Sequence, residues 1–222
     1  MNLIRAVLLD LDDTLVDLRE ASFLSFNETL RRHNLREVTF QEMLYSWNTT
    51  WREVVRSITP PGVDVDTLLP IVGPEYMRRF GEIHLQYSKL LPGVRETLTE
   101  LKSKGYLVGI VSRRARKVLR EELEKFGLER FVDVLVGADD VEKQKPDPTP
   151  VILAAKRLNV SVKSCVVVGD SRVDLRAGKS AGAFAVGVLT GLESADELRR
   201  ENPDAVIAKI SDLVPALESL DP

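Results

Sequence analysis

The chain has 222 residues, 44% of them hydrophobic and 29% charged, with a formal net charge of -3. That composition is of an ordinary globular protein, long enough for a core domain with an insertion, and excludes disorder as the main state. The small negative charge offers no long-range attraction to a polyanion, so no nucleic acid is expected as a partner.

Cys165 is the only cysteine, which excludes an intramolecular disulfide and a zinc cluster of thiolates. It lies in the apolar run 165–168 and reads as a small buried hydrophobe. No apolar stretch approaches the roughly 20 residues that span a bilayer. The amino terminus runs straight into a strand-like segment with no signal-peptide pattern, so no membrane partner is expected and the expected location is cytoplasmic.

In chain order, residues 5–9 form a short apolar run ending in carboxylates. A mostly helical stretch follows. Phe23, Phe26 and Leu30 recur at helical spacing, as do Phe40, Leu44, Trp47, Trp51 and Ile58. Pro60-Pro61-Gly62 breaks the pattern, and Tyr76, Phe80, Ile83 and Tyr87 mark a further amphipathic helix. No strand is expected between Val16 and Ser88. After Leu91-Pro92-Gly93 comes a helix with Val94, Leu98 and Leu101 on one face, ended by Lys104-Gly105. Strands are then expected at 107–111, 132–136, 164–168 and 184–189, with 205–207 a short strand in the tail. Helices are expected around Val118–Phe126, at 148–158 and 174–181, and in the tail at 195–201 and 212–219.

Strands alternating with helices imply right-handed crossovers and a parallel sheet. The expected fold is α/β: a Rossmann-like parallel-sheet core, residues 1–15 and 92–222, with helices on both faces. Residues 16–91 form an inserted helical cap with its hinges. Such sheets bind ligands beyond the carboxyl ends of their strands, and the insertion leaves from that edge, so the cap is expected to sit over it.

The residues that follow each strand carry chemistry. Asp10 and Asp12 follow the first, Ser112 the second, Lys145 the third and its loop, and Asp170 and Asp174 the fourth. This set suits phosphoryl transfer. A phosphate monoester is doubly anionic, so a carboxylate nucleophile needs charge neutralisation to approach it. Magnesium, which prefers oxygen ligands, would supply that, with Asp10 and Asp170 as its carboxylates. Lys145 and the Ser112 hydroxyl can hold phosphoryl oxygens as charge shifts in the transition state. Nearby cations would also keep Asp10 ionised.

Asp10-Leu11-Asp12-Asp13-Thr14, Ser112, Lys145-Pro146 and Gly169-Asp170-Ser171-Arg172-Val173-Asp174 stand in order at expected strand ends. In that arrangement the chain resembles the haloacid dehalogenase-like hydrolase superfamily, in its branch with a helical cap after the first motif, DxDxT. The likeness covers nearly the whole chain. It implies that Asp10 attacks phosphorus and forms an aspartyl-phosphate. Asp12 would protonate the leaving alcohol and later deprotonate water, and its backbone carbonyl would join Asp10 and Asp170 on Mg2+. Asp174 would be a water-mediated ligand or an orienting partner, and Thr14 would buttress the first loop. Many relatives carry asparagine where Arg113 stands; the resemblance then implies phosphate binding through the Arg113 backbone amide, beside Ser112 and Lys145. Lys143 is close in sequence, but Lys145 has the following proline.

The implied activity is hydrolysis of a small phosphorylated metabolite, with phosphoglycolate one candidate. A sugar phosphomutase using the same core is the first alternative, and a receiver-like module phosphorylated on aspartate the second. The run Arg113, Arg114, Arg116, Lys117 reads as a solvated helix face. Trp47 and Trp51 read as cap core, and His33 and His84 are too few for a histidine-rich metal site.

Overall fold

Four consecutive apolar residues, Ala6–Leu9, form strand β1, and all four side chains are buried. A strand with no polar face must be covered on both sides, and β1 lies in the middle of a six-stranded parallel sheet ordered β5-β4-β1-β6-β7-β8. Its neighbours are equally apolar: β4 is Leu107–Val111 and β6 is Cys165–Gly169. β5 is Val134–Val136, β7 Phe184–Val188 and β8 Ala205–Ile207. The register places Leu9 opposite Ile110 of β4 and Val168 of β6.

This computed structural model describes residues 4–46, 55, 56, 59 and 64–220. The chain divides into two units, Met1–Asp17 with Leu90–Pro222, and Leu18–Lys89. The short strands β2 (Val16–Asp17) and β3 (Lys89–Leu90) form a two-stranded sheet of their own, and β2 falls where no strand was expected, because its side chains do not show the alternation of a longer strand. Within the first unit, the Leu91 N–H donates to the Leu15 carbonyl at 2.9 Å, so the chain leaves and returns at adjacent points.

In the first unit every crossover carries a helix, and the fold is the expected α/β one. α4 (Val94–Ser103), α6 (Thr149–Arg157) and α7 (Arg172–Ala181) lie against the sheet. Leu8, Val111, Val151, Ala154 and Val167 share one buried cluster. Truncating such a residue costs about 2–5 kcal/mol for a leucine, so this cluster is what holds the strand ends in place. Cys165 is fully buried in it, as expected, and burial pushes its thiol up to about 11. α5 (Arg116–Phe126), α8 (Ala195–Arg199) and α9 (Leu213–Leu220) complete the unit.

The second unit holds α1 (Arg19–Arg32), α2 (Phe40–Ser46) and α3 (Val65–Tyr87). Phe26, Leu30, Leu35, Val38, Met43 and Val72 form its core. Asn27 ties the α1–α2 loop to α1 by donating to the Val38 carbonyl and accepting from the Val38 N–H, both at 2.8 Å. α3 begins well before the helix expected from Tyr76 and contains Pro70 and Pro74. Trp47, Trp51, Arg52, Ile58 and the Pro60-Pro61-Gly62 break lie outside the described residues. Of the two histidines, His33 lies 2.6 Å from Glu75 and His84 stacks on Phe80. No helix among the described residues is long and apolar enough to cross a membrane.

Candidate active site

Asp10 stands one residue past β1 yet stays in the ladder, donating its N–H to the Val168 carbonyl at 2.9 Å. That bond fixes its backbone at the strand end, and the residue is 8% exposed. The chain then turns tightly. The N–H groups of Leu15 and Val16 both reach the Leu11 carbonyl, and Asp13 adopts a left-handed conformation with φ 53°. Aspartate tolerates that region better than most residues.

Lys145 arrives from the loop after β5 and is buried, 5% exposed. Its Nζ donates to Asp10 Oδ1 at 2.6 Å, to the Val111 carbonyl at 2.7 Å and to Asp174 Oδ1. All three ammonium donors therefore have acceptors. Lys143 is exposed. Asp174, in the first turn of α7, takes a second hydrogen bond from the Ser171 hydroxyl. It approaches the end of β6 because residue 169 is glycine: a Cβ there would lie 2.4 Å from both Cβ and Cγ of Asp174. Thr14 is fully buried and donates to Asp170 Oδ1 at 3.0 Å.

One carboxylate oxygen each from Asp10, Asp170 and Asp174 lies within 4.8 Å of the others. Burial raises the Asp10 pKa to about 7; Asp174 and Asp12 add to that and Lys145 opposes it. Asp10 was expected to be held ionised by neighbouring cations, but desolvation outweighs the one ammonium beside it. Asp170 is likewise raised, by burial first and then by Asp174, Asp10 and Asp13. Burial alone would lower the Lys145 pKa, but Asp10 and Asp174 together raise it, so Lys145 stays protonated. Three clustered carboxylates against one ammonium leave negative charge that a hard, oxygen-preferring divalent cation would offset. The donor set fits such an ion.

Ser112 continues β4, donating its N–H to the Val136 carbonyl at 3.1 Å, and its hydroxyl accepts the Arg114 N–H at 3.2 Å. Arg113 is exposed. Arg114 corrects the sequence reading. It precedes α5 and is not on a solvated helix face: its Nε donates to Asp12 Oδ2 at 2.6 Å, and its side chain is only 15% exposed. Arg116 and Lys117 do open α5, and Lys117 is exposed, 3.8 Å from Glu121. What brings Arg114 to Asp12 is the adjacency of β1 and β4, whose following loops emerge side by side.

The chain has relatives among known proteins. A family profile described as "Haloacid dehalogenase-like hydrolase" matches residues 7–188. The phosphoglycolate phosphatase of Escherichia coli (strain K12) is 30% identical over 234 residues, covering 96% of this chain and 92% of that protein. The pyrophosphatase PpaX of Bacillus velezensis is 32% identical over 211 residues, covering 95% of each. The crystal structure of a predicted phosphoglycolate phosphatase from Haemophilus somnus superposes with a TM-score of 0.81 at 25% identity, covering 97% of this chain and 98% of that one.

Proposed function

The chain belongs to the haloacid dehalogenase-like hydrolase family and is a phosphoric monoester hydrolase; we propose that it hydrolyses a small phosphorylated metabolite through an aspartyl-phosphate on Asp10, with Mg2+ as cofactor. The observation that carries this reading is the single Lys145 ammonium bound to both Asp10 and Asp174, beside the converging oxygens of Asp10, Asp170 and Asp174. A buried carboxylate beside one ammonium, in a cluster of oxygens that would take a divalent cation, is equipped to meet a phosphoryl group.

Asp10 and Asp170, with the backbone carbonyl of Asp12, are the groups that would hold the magnesium ion. When bound, it offsets the repulsion between the Asp10 carboxylate and the phosphoryl dianion. An Asp10 oxygen attacks phosphorus, the ester P–O bond breaks, and the departing oxygen keeps the electron pair and takes a proton from Asp12. Water then attacks the same phosphorus and gives a proton to Asp12. The bond to Asp10 breaks, releasing inorganic phosphate and restoring both carboxyl groups. Lys145 turns the donor it gives Asp10 to a phosphoryl oxygen as Asp10 attacks, and the Ser112 hydroxyl and Arg113 amide hold others. Asp174, fixed by Ser171, orients Lys145, and Thr14 orients Asp170.

Phosphoglycolate and inorganic pyrophosphate, the compounds for which the two relatives are named, are the first substrates to test. A panel of phosphorylated metabolites with magnesium should include at least one that releases inorganic phosphate well above the rest. No release from any small phosphate, or recovery of the phosphoryl group on an isomeric sugar ester, would overturn the phosphatase reading. The second result would favour a phosphomutase.

A further inference from the structure

We propose that Arg114 is a positioning residue for Asp12: it occupies one carboxylate oxygen so that the other, Oδ1, is the atom that exchanges the proton. The inference rests on the acid/base reading of Asp12 given above.

The two oxygens of Asp12 are not equivalent. Oδ2 accepts the Arg114 Nε–H at 2.6 Å. Oδ1 is buried and has no hydrogen-bond partner among the described residues, although the side chain as a whole is 36% exposed. A carboxylate oxygen removed from water without a donor is costly. Such atoms are few in native structures, and a catalytic role is one of the reasons they are kept. The guanidinium on Oδ2 does not release a proton in any ordinary pH range. Proton traffic through Asp12 therefore passes through Oδ1.

Arg114 is also held more firmly than a surface arginine needs. Its N–H donates to Ser112 Oγ at 3.2 Å, and its carbonyl accepts the Ala138 N–H at 2.7 Å. The loop after β5 can come this close because residue 137 is glycine: a Cβ there would lie 2.7 Å from the Arg114 carbonyl oxygen and 2.7 Å from the Arg116 nitrogen. The Arg116 N–H is in turn accepted by Asp139 at 2.8 Å. The backbone under Arg114 is thus clamped on both sides, the support a group needs if it is to aim another.

In the first half-reaction the proton on Oδ1 moves to the departing ester oxygen as the P–O bond breaks. In the second, Oδ1 recovers a proton from the attacking water. Arg114 neither gains nor loses one in either step.

The test compares kcat/KM for an alkyl phosphate, whose oxygen must be protonated as it leaves, with kcat/KM for nitrophenyl phosphate, whose phenolate leaves unaided. This ratio reports only steps up to departure of the alcohol, so hydrolysis of the intermediate does not enter. General acid catalysis contributes about 10²–10⁴-fold, so Arg114→Met should lose about 10-fold or more beyond its loss on the aryl ester. Arg114→Lys, which keeps the charge but not the fixed fork, should fall between Met and the native enzyme; it also serves if the Met variant does not fold. Asp12→Asn must show the same split. A split in Asp12→Asn with equal losses on both esters in the Arg114 variants overturns this inference alone. No split in Asp12→Asn overturns the acid role of Asp12, and the inference with it.

Discussion

The Lys145 ammonium lies 2.6 Å from the Asp10 carboxylate, and both side chains are almost wholly shielded, 3% and 11% exposed. The same nitrogen serves Asp174, whose side chain is 4% exposed. Removing one partner of a buried ion pair leaves uncompensated charge, a loss of about 3–5 kcal/mol. Lys145→Met should therefore destabilise the metal-free protein by about that much in denaturant unfolding above about pH 7, where Asp10 is ionised. A variant as stable as the native protein would show that the three groups are not charged together.

Asp10→Asn should leave the fold intact and lower turnover of an aryl phosphate by about 10⁴-fold or more, since the amide cannot act as the nucleophile. Near-native turnover would refute the assignment. The same variant isolates a pH effect. The Asp10 pKa rises in the folded protein from 3.8 to about 7, through burial first. A raised pKa means the folded state holds the proton more tightly, so this stabilisation is complete below about 4 and is lost as pH rises through about 7. Without magnesium, the native protein should lose thermal stability over that window relative to Asp10→Asn. Parallel pH profiles of melting temperature would contradict the shift.

On the magnesium proposal, the cation and the proton would compete for Asp10. Below about pH 7 a proton must be displaced before the cation binds, so apparent affinity should climb with pH and level off above 7. Thermal-shift titrations at pH 5.5 and 7.5 read this directly. Chelation should abolish activity and added magnesium restore it, and Asp170→Ala should raise the concentration required. Full activity after rigorous metal removal would end the magnesium proposal.

Gly169→Ala places a methyl group 2.4 Å from the Cβ and Cγ of Asp174. Overpacking of this kind costs about 1–3 kcal/mol, and relief requires Asp174 to move away from Lys145. The melting temperature and kcat should fall together. Native kinetics in this variant would mean that the position of Asp174 does not govern Lys145.

Much of the core was legible because its strands are unbroken runs such as Val166, Val167 and Val168, and β1, β4 and β6 are each followed at once by residues that carry chemistry. Boundaries moved where local turns intervene. The strand expected from Val132 starts at Val134, because a 3-10 turn at Glu129–Phe131 delays the pairing. The first turns of α3 were hidden by Pro70 and Pro74, which break helices when propensity alone decides. Packing overrides that here: Val72 is fully buried in the core shared with α1. Arg114 was illegible for a different reason. Its partner Asp12 is 102 residues away, and a lone arginine in a basic run carries no periodic mark of the strand adjacency that joins them.

The order of the sheet sets a schedule for biosynthesis. β1 is translated first, but Ala6 lies between Leu107 on one side and Cys165 on the other. At about 5–20 residues per second, the strand bearing Asp10 waits on the order of 10 s for its second neighbour. Until Val168 emerges, the Asp10 N–H has no carbonyl to meet, and until Asp174 follows, Lys145 lacks one of its two counter-charges. A nascent chain stalled before that point carries the nucleophile but no assembled site around it, and the four apolar residues of β1 must be kept from aggregating while translation proceeds.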